Sequence, residues 1–101
     1  MNPTAWHATT IDSSDNVAVV LQPIAPGDEV IVNVGDHVTT VKALEPIALC
    51  HKIALTDLRP GDPVIKYGEC IGEATQAIAR GAAVHIHNLR SRRGRAEPRR
   101  T

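Results

Sequence analysis

The fold class predicted by this 101-residue sequence is a small, mostly β single domain with long reversals and one or two short helical turns. Three observations predict it. β-Branched residues gather in short runs, and seven prolines spread along the chain disfavour a long helix. One local turn device also recurs four times. Ile24-Ala-Pro-Gly27-Asp-Glu-Val30 matches Leu58-Arg-Pro-Gly61-Asp-Pro-Val64 and Ile78-Ala-Arg-Gly81-Ala-Ala-Val84, and Ile47-Ala-Leu-Cys50-His-Lys-Ile53 fits the same frame with cysteine in the glycine slot. Each unit is an apolar anchor, a tight turn and a return to an apolar run. Proline presets φ and glycine tolerates positive φ, so Pro-Gly is a strong reversal signal. The intervals are irregular, which excludes a solenoid.

Taken in chain order, Met1 to Asp15 is polar and lacks the apolar core of a secretory signal, so residues 1–15 are expected to be a flexible lead-in. Val17 to Leu21 is a continuous apolar run, and Val30-Ile-Val-Asn-Val34 is a strong strand by composition. Gly35-Asp36 is placed to close a hairpin into Val38-Thr-Thr-Val-Lys42. Lys52 to Leu55, Val64 to Tyr67 and Val84 to His87 are further strands. Gly68 and Gly72 bracket a turn, and Ala74 to Ala79 is either a single helical turn or an irregular strand. Short one-turn helices fit after Leu44 and after Thr56. Residues 16–89 form the domain, and 90–101 form an arginine-rich tail without apolar periodicity, expected to be disordered.

Composition excludes several function classes. No segment resembles a membrane span or signal, which makes the cytoplasm the expected location. Cys50 and Cys70 are not in C-x-x-C spacing and read as small buried hydrophobes rather than a redox or zinc motif. Phenylalanine is absent, and Trp6 and Tyr67 are the only large aromatics, so there is no platform for stacking single-stranded bases. The zero net charge hides a tail that carries six arginines and one glutamate. That tail could touch nucleic acid, but it reads more simply as a solvated appendage or a dock for an acidic partner.

Val84-His-Ile-His-Asn88 is the most informative stretch. On a strand the side chains alternate, so His85 and His87 would share one face while Val84 and Ile86 supply the buried one. Two imidazoles side by side make a metal clamp or an acid/base pair; the competing reading is an exposed face that happens to carry histidines.

His51-Lys-Ile-Ala-Leu55, Val64-Ile-Lys-Tyr-Gly68, Ile71-Gly72 and Val84-His-Ile-His-Asn88, in this order and with these gaps, resemble the SAF-type domain of altronate and galactarate dehydratases. The arrangement is also similar to the alpha subunit of sulfolactate sulfo-lyase. The resemblance runs from about Asn16 through Leu89 and implies a β-clip, a long β-ribbon folded on itself. It implies β-elimination from a hydroxy acid, with a divalent metal, iron or a similar ion, held largely by a large catalytic dehydratase subunit. A chain this small then contributes one wall of a shared site and is inactive alone.

Under that resemblance His85, His87 and His51 are the catalytic candidates, with His85 and His87 also the candidate metal ligands. Asn88 is expected to orient substrate hydroxyls, and Lys66 and Lys52 to meet a substrate carboxylate. On a strand His51 and Lys52 point to opposite faces, so only one enters a site. The small-molecule partner is a sugar acid. No membrane is involved, nucleic acid is disfavoured, and self-association is left open. The alternatives are the alpha subunit of (2R)-sulfolactate sulfo-lyase and a non-catalytic β-clip binding module. Two departures stand out. Cys50 occupies a position where the family carries glycine, which costs roughly 1 kcal/mol if positive φ is required there. Ala82 and Ala83 replace charged residues.

Overall fold

Each of the four recurring units closes the same turn. Asp28, His51, Asp62 and Ala82 donate their backbone N–H to the carbonyls of Ala25, Ala48, Arg59 and Ala79, three residues back. The residue before each donor has positive φ: 88° at Gly27, 73° at Cys50, 91° at Gly61 and 93° at Gly81. That is the conformation a type II turn demands at its third position, with Pro26 and Pro60 at the second. The same third residues donate their own N–H across to Ala43, Val20, Ala74 and Ala54, tying each turn to a strand end. Ile24 then bridges Ile47, and Leu58 bridges Ile78. The chain is therefore two similar loops, each pinched at its base by an apolar bridge.

The computed structural model describes residues 7–91. The strands are β1 (Ala8–Thr9), β2 (Val17–Val20), β3 (Glu29–Val34), β4 (His37–Lys42), β5 (Lys52–Ala54), β6 (Pro63–Lys66), β7 (Glu69–Ala74), β8 (Ala83–Val84) and β9 (Leu89–Ser91). Six form a sheet in the order β4-β3-β1-β2-β5-β8, and the others form a sheet in the order β6-β7-β9. Pairing is antiparallel except between β1 and β3. With no phenylalanine to fill space, the core is aliphatic. Val20, Val30, Val32 and Ile53 are sealed within one cluster on the larger sheet, while Val17 and Val84 of that sheet join Val64 of the smaller one in a second cluster.

The mostly β expectation holds, and no helix occurs among the described residues. The expected helical turns after Leu44 and Thr56 are bends and type II turns instead. Positive φ at Cys50 and Gly61 is incompatible with a right-handed helix, and Ile47 and Leu58 must stay extended to make their bridges. Ala74 ends β7, and Ile78 is the second partner of the Leu58 bridge. Gly68 does turn the chain, jointly with Tyr67, at φ 75° and 57°. Gly72 instead lies inside β7, opposite Ser91, where a Cβ would overlap the carbonyl oxygen of Arg90.

Residues 7–15 are part of the domain, not a loose lead-in. His7 N–H donates to the Ile31 carbonyl, and Ile31 N–H returns a bond to His7 Nδ1. Ala8 is fully buried between β2 and β3. The Asp15 carboxylate accepts from Ile11, Asp12 and Gly68 N–H, joining this segment to the β6–β7 turn. Leu89 to Ser91 form β9, and Arg90 meets Glu73 at 2.9 Å. Trp6 and the arginines from Arg92 onward lie outside the described residues.

The turn geometry yields a matched pair of predictions. Cys50→Gly relieves a left-handed cysteine and is expected to stabilise the domain by about 1 kcal/mol, or ~4–8 °C in Tm. Gly27→Ala meets open space but must hold φ 88°, and it should cost a similar amount. Thermal unfolding of both variants checks this, and a lower Tm for Cys50→Gly would contradict the shared turn.

Candidate functional site

Two of the four turns set the site. The turn at Cys50 feeds β5, and the turn at Gly81 feeds β8, and these strands pair with Lys52 opposite Val84 and Ile53 opposite Ala83. One step further along that antiparallel register lie His51 and His85. Their rings are stacked, with centroids 3.8 Å apart and planes within 15°. Both imidazoles, with His87, line a cleft of about 480 Å³ whose wall includes Glu45, Ile24 and Ile47.

β8 ends at Val84, so the His-x-His segment is not a strand. Residues 85–88 form a tight turn in which Asn88 N–H donates to the His85 carbonyl. The buried Asn88 side chain clasps it: Oδ1 accepts from His85 N–H at 3.0 Å, and Nδ2 donates to the Ala83 carbonyl at 2.9 Å. This short side-chain route outcompetes a continued ladder because asparagine supplies an acceptor and a donor at once. Ile86, expected on a buried face, is 82% exposed at the tip of the turn. His85 and His87 nevertheless share a cleft, through the curvature of a turn and not through strand alternation.

The amide of Asn88 is thus committed to the backbone around His85. His51 lines the cleft while Lys52, its neighbour on β5, is half-buried along the strand. Lys66 is partly buried, and its Nζ stands 4.8 Å from the centre of the Tyr67 ring. Cys50 is exposed and Cys70 half-buried, so neither is the buried hydrophobe that composition suggested. Cys50 is forced outward by its place at the turn apex. Glu45 was not visible as a site residue: nothing in an isolated Glu-Pro pair marks it, and only the fold brings it to the imidazoles.

The electrostatics disfavour charge on His85. The pKa of His85 is lowered, first by loss of solvent around the ring and then by the positive charges of His51, Lys52 and His87. Lys52 is lowered as well, first by burial and then by Lys66. The surroundings of His85 thus favour the uncharged ring.

A divalent ion does not fit these side chains alone. Among the described residues no group of three His, Cys, Asp or Glu side chains could hold one. The stacked His51 and His85 rings direct their in-plane lone pairs side by side, so those two do not converge on one point. No chemical step is therefore assigned to a metal on this chain.

Two outcomes follow. By NMR, the His85 ring should titrate below the ordinary histidine range, and Lys52→Met should move it upward. Because the folded value lies below the unfolded one, the His85 contribution to stability is complete above about pH 6.5 and is lost as pH falls through the folded value. Asn88→Ala should cost about 2–3 kcal/mol by leaving the His85 N–H and the Ala83 carbonyl unpaired, and should separate the stacked rings. Thermal unfolding and the ring-current shift of His51 report the two effects.

Comparison with known proteins follows the same outline. Residues 6–92 match the family model described as the altronate/galactarate dehydratase SAF domain. The chain is 48% identical to altronate dehydratase of Escherichia coli (strain K12) over 81 residues, covering 80% of this chain but 16% of that protein. It is 34% identical to subunit alpha of (2R)-sulfolactate sulfo-lyase of Chromohalobacter salexigens, covering 81% of this chain and 90% of that one. Galactarate dehydratase (L-threo-forming) of E. coli is 34% identical over 80 residues, 14% of its length. The chain spans about one sixth of the altronate dehydratases it matches. No described helix is long and apolar enough to cross a membrane. The match over nearly all the described residues, on a helix-free β framework, places this chain in the SAF domain family of altronate and galactarate dehydratases.

Proposed function

We propose that this chain is the small subunit of a cytoplasmic hydro-lyase that removes water from a sugar acid, sharing its site with a large catalytic subunit. The observation that carries the reading is the stacked His51–His85 pair in the cleft, with the pKa of His85 lowered by its surroundings. Elimination from a hydroxy acid breaks a C–H bond beside a carboxylate and a C–O bond on the next carbon. A base takes the proton, the freed pair forms the double bond, and the hydroxyl leaves as water once protonated. Neutral His85 suits the first task. In this reading His87, exposed at the rim, protonates the leaving hydroxyl. Lys52 and Lys66 suit the substrate carboxylate as point charges. Asn88 acts through His85, as a positioning residue.

A cleft made by turns at one end of a small sheet encloses little of a ligand, and enzyme pockets favour interfaces. The missing wall, and any divalent ion the reaction uses, then belong to the large subunit. The near full-length match to a sulfo-lyase alpha subunit supports a free-standing small chain. It also keeps a second reading in play, in which sulfite takes the place of water as leaving group.

The chain alone is expected to be inactive on aldonates and aldarates, and turnover should appear on adding the large subunit. In that complex His85→Ala should lower kcat by about 10²–10⁴-fold. Stopped assays of dehydrated product check both, and unchanged kcat in His85→Ala would remove it from the mechanism.

A further inference from the structure

Glu45 stands apart from the residues given roles above. It is the one carboxylate lining a cleft that otherwise presents three imidazoles and apolar side chains. It is half-buried, and its Oε2 accepts the Ala83 N–H at 2.8 Å, two residues before His85. That bond fixes the carboxylate on the wall. Its other oxygen, Oε1, takes no hydrogen bond among the described residues. The ion pairs among those residues lie elsewhere, at Asp36–His37 and Glu73–Arg90. Glu45 therefore offers the cleft a fixed acceptor.

An ionised carboxylate accepts hydrogen bonds and donates none. Beside it a sugar hydroxyl is welcome, whereas a second carboxylate or a sulfonate meets like charge in a partly desolvated site. The three imidazoles of the cleft, as ring N–H donors, leave room for one anionic end.

We infer that Glu45 is a specificity-determining residue: it binds a substrate hydroxyl and turns away acids that carry an anion at both ends. The inference rests on the lyase reading above and narrows it, to aldonates with one carboxylate over aldarates or sulfonate-bearing hydroxy acids. Glu45→Gln is the informative change, because its amide oxygen can still take the Ala83 N–H while the charge is gone.

The test is kcat/KM of the complex with the large subunit for an aldonate, an aldarate and a sulfonate-bearing hydroxy acid. The wild type should prefer the aldonate. Glu45→Gln should shrink that preference at least tenfold, mainly by lowering KM for the dianions, with an unchanged Tm showing that the fold is kept. An unchanged ratio, or a wild type that prefers a dianion, overturns the inference. If the wild-type complex turns over none of them, the lyase reading falls. Glu45 is then judged on the chain alone, by titrating the ring signals of His51 and His85 with the aldonate and the aldarate. Tighter aldonate binding that is levelled in Glu45→Gln supports the role, and equal binding in the wild type overturns it.

Discussion

Positive φ at the third position of a tight turn is the constraint on which this molecule hangs. It is imposed at Gly27, Cys50, Gly61 and Gly81, and each time the turn residue also donates across to a strand end. A short aliphatic chain cannot hold two small sheets by core volume alone, so reversals must be placed by backbone hydrogen bonds. The Gly81 turn shows how tightly. Its carbonyl accepts from Leu44 N–H, its N–H donates to Ala54, and a Cβ there would overlap the carbonyl oxygen of Lys42. β8, and with it His85, is located by that single packed glycine.

Cys50 does the same job without glycine's freedom. Its left-handed backbone costs energy, yet the turn persists because flanking bonds to Val20 and Ala48 over-determine it. The consequence reaches the site directly, since His51 is the next residue. Its ring meets His85 only because the turn delivers it in register with the end of β8. A backbone preference at one position thus becomes the geometry of a ring pair drawn from two distant parts of the chain.

What was legible in the sequence is what local chemistry decides. The β-branched runs of β2, β3 and β4 declared themselves, as did the reversals, because Val-Ile-Val and Pro-Gly carry their conformation with them. β1 and β7 did not: Ala8–Thr9 is too short to show a period, and Glu69–Ala74 carries Gly72, which reads as a turn but serves close strand approach. The histidines were found by motif and their common cleft was expected, but for the wrong reason. Strand alternation was assumed where the Asn88 clasp makes a turn. The His51–His85 stack and the place of Glu45 were out of reach, since both depend on register between segments far apart in sequence.

The division of labour proposed for this chain has a physical root in the same turns. In that proposal His85 works uncharged, and partial loss of solvent and its cationic neighbours lower its pKa. Such a setting survives whether the domain is a short chain or a small part of a long one, because its elements are closed by local bonds. The relatives show both arrangements, at 90% of one protein's length and 16% of another's. Among the described residues no group of three side chains could hold a metal ion, so the proposed chemistry relies on a second body for one. In the proposed division of labour the turn-built β-clip prepares a base and a selective wall and leaves enclosure to a second body.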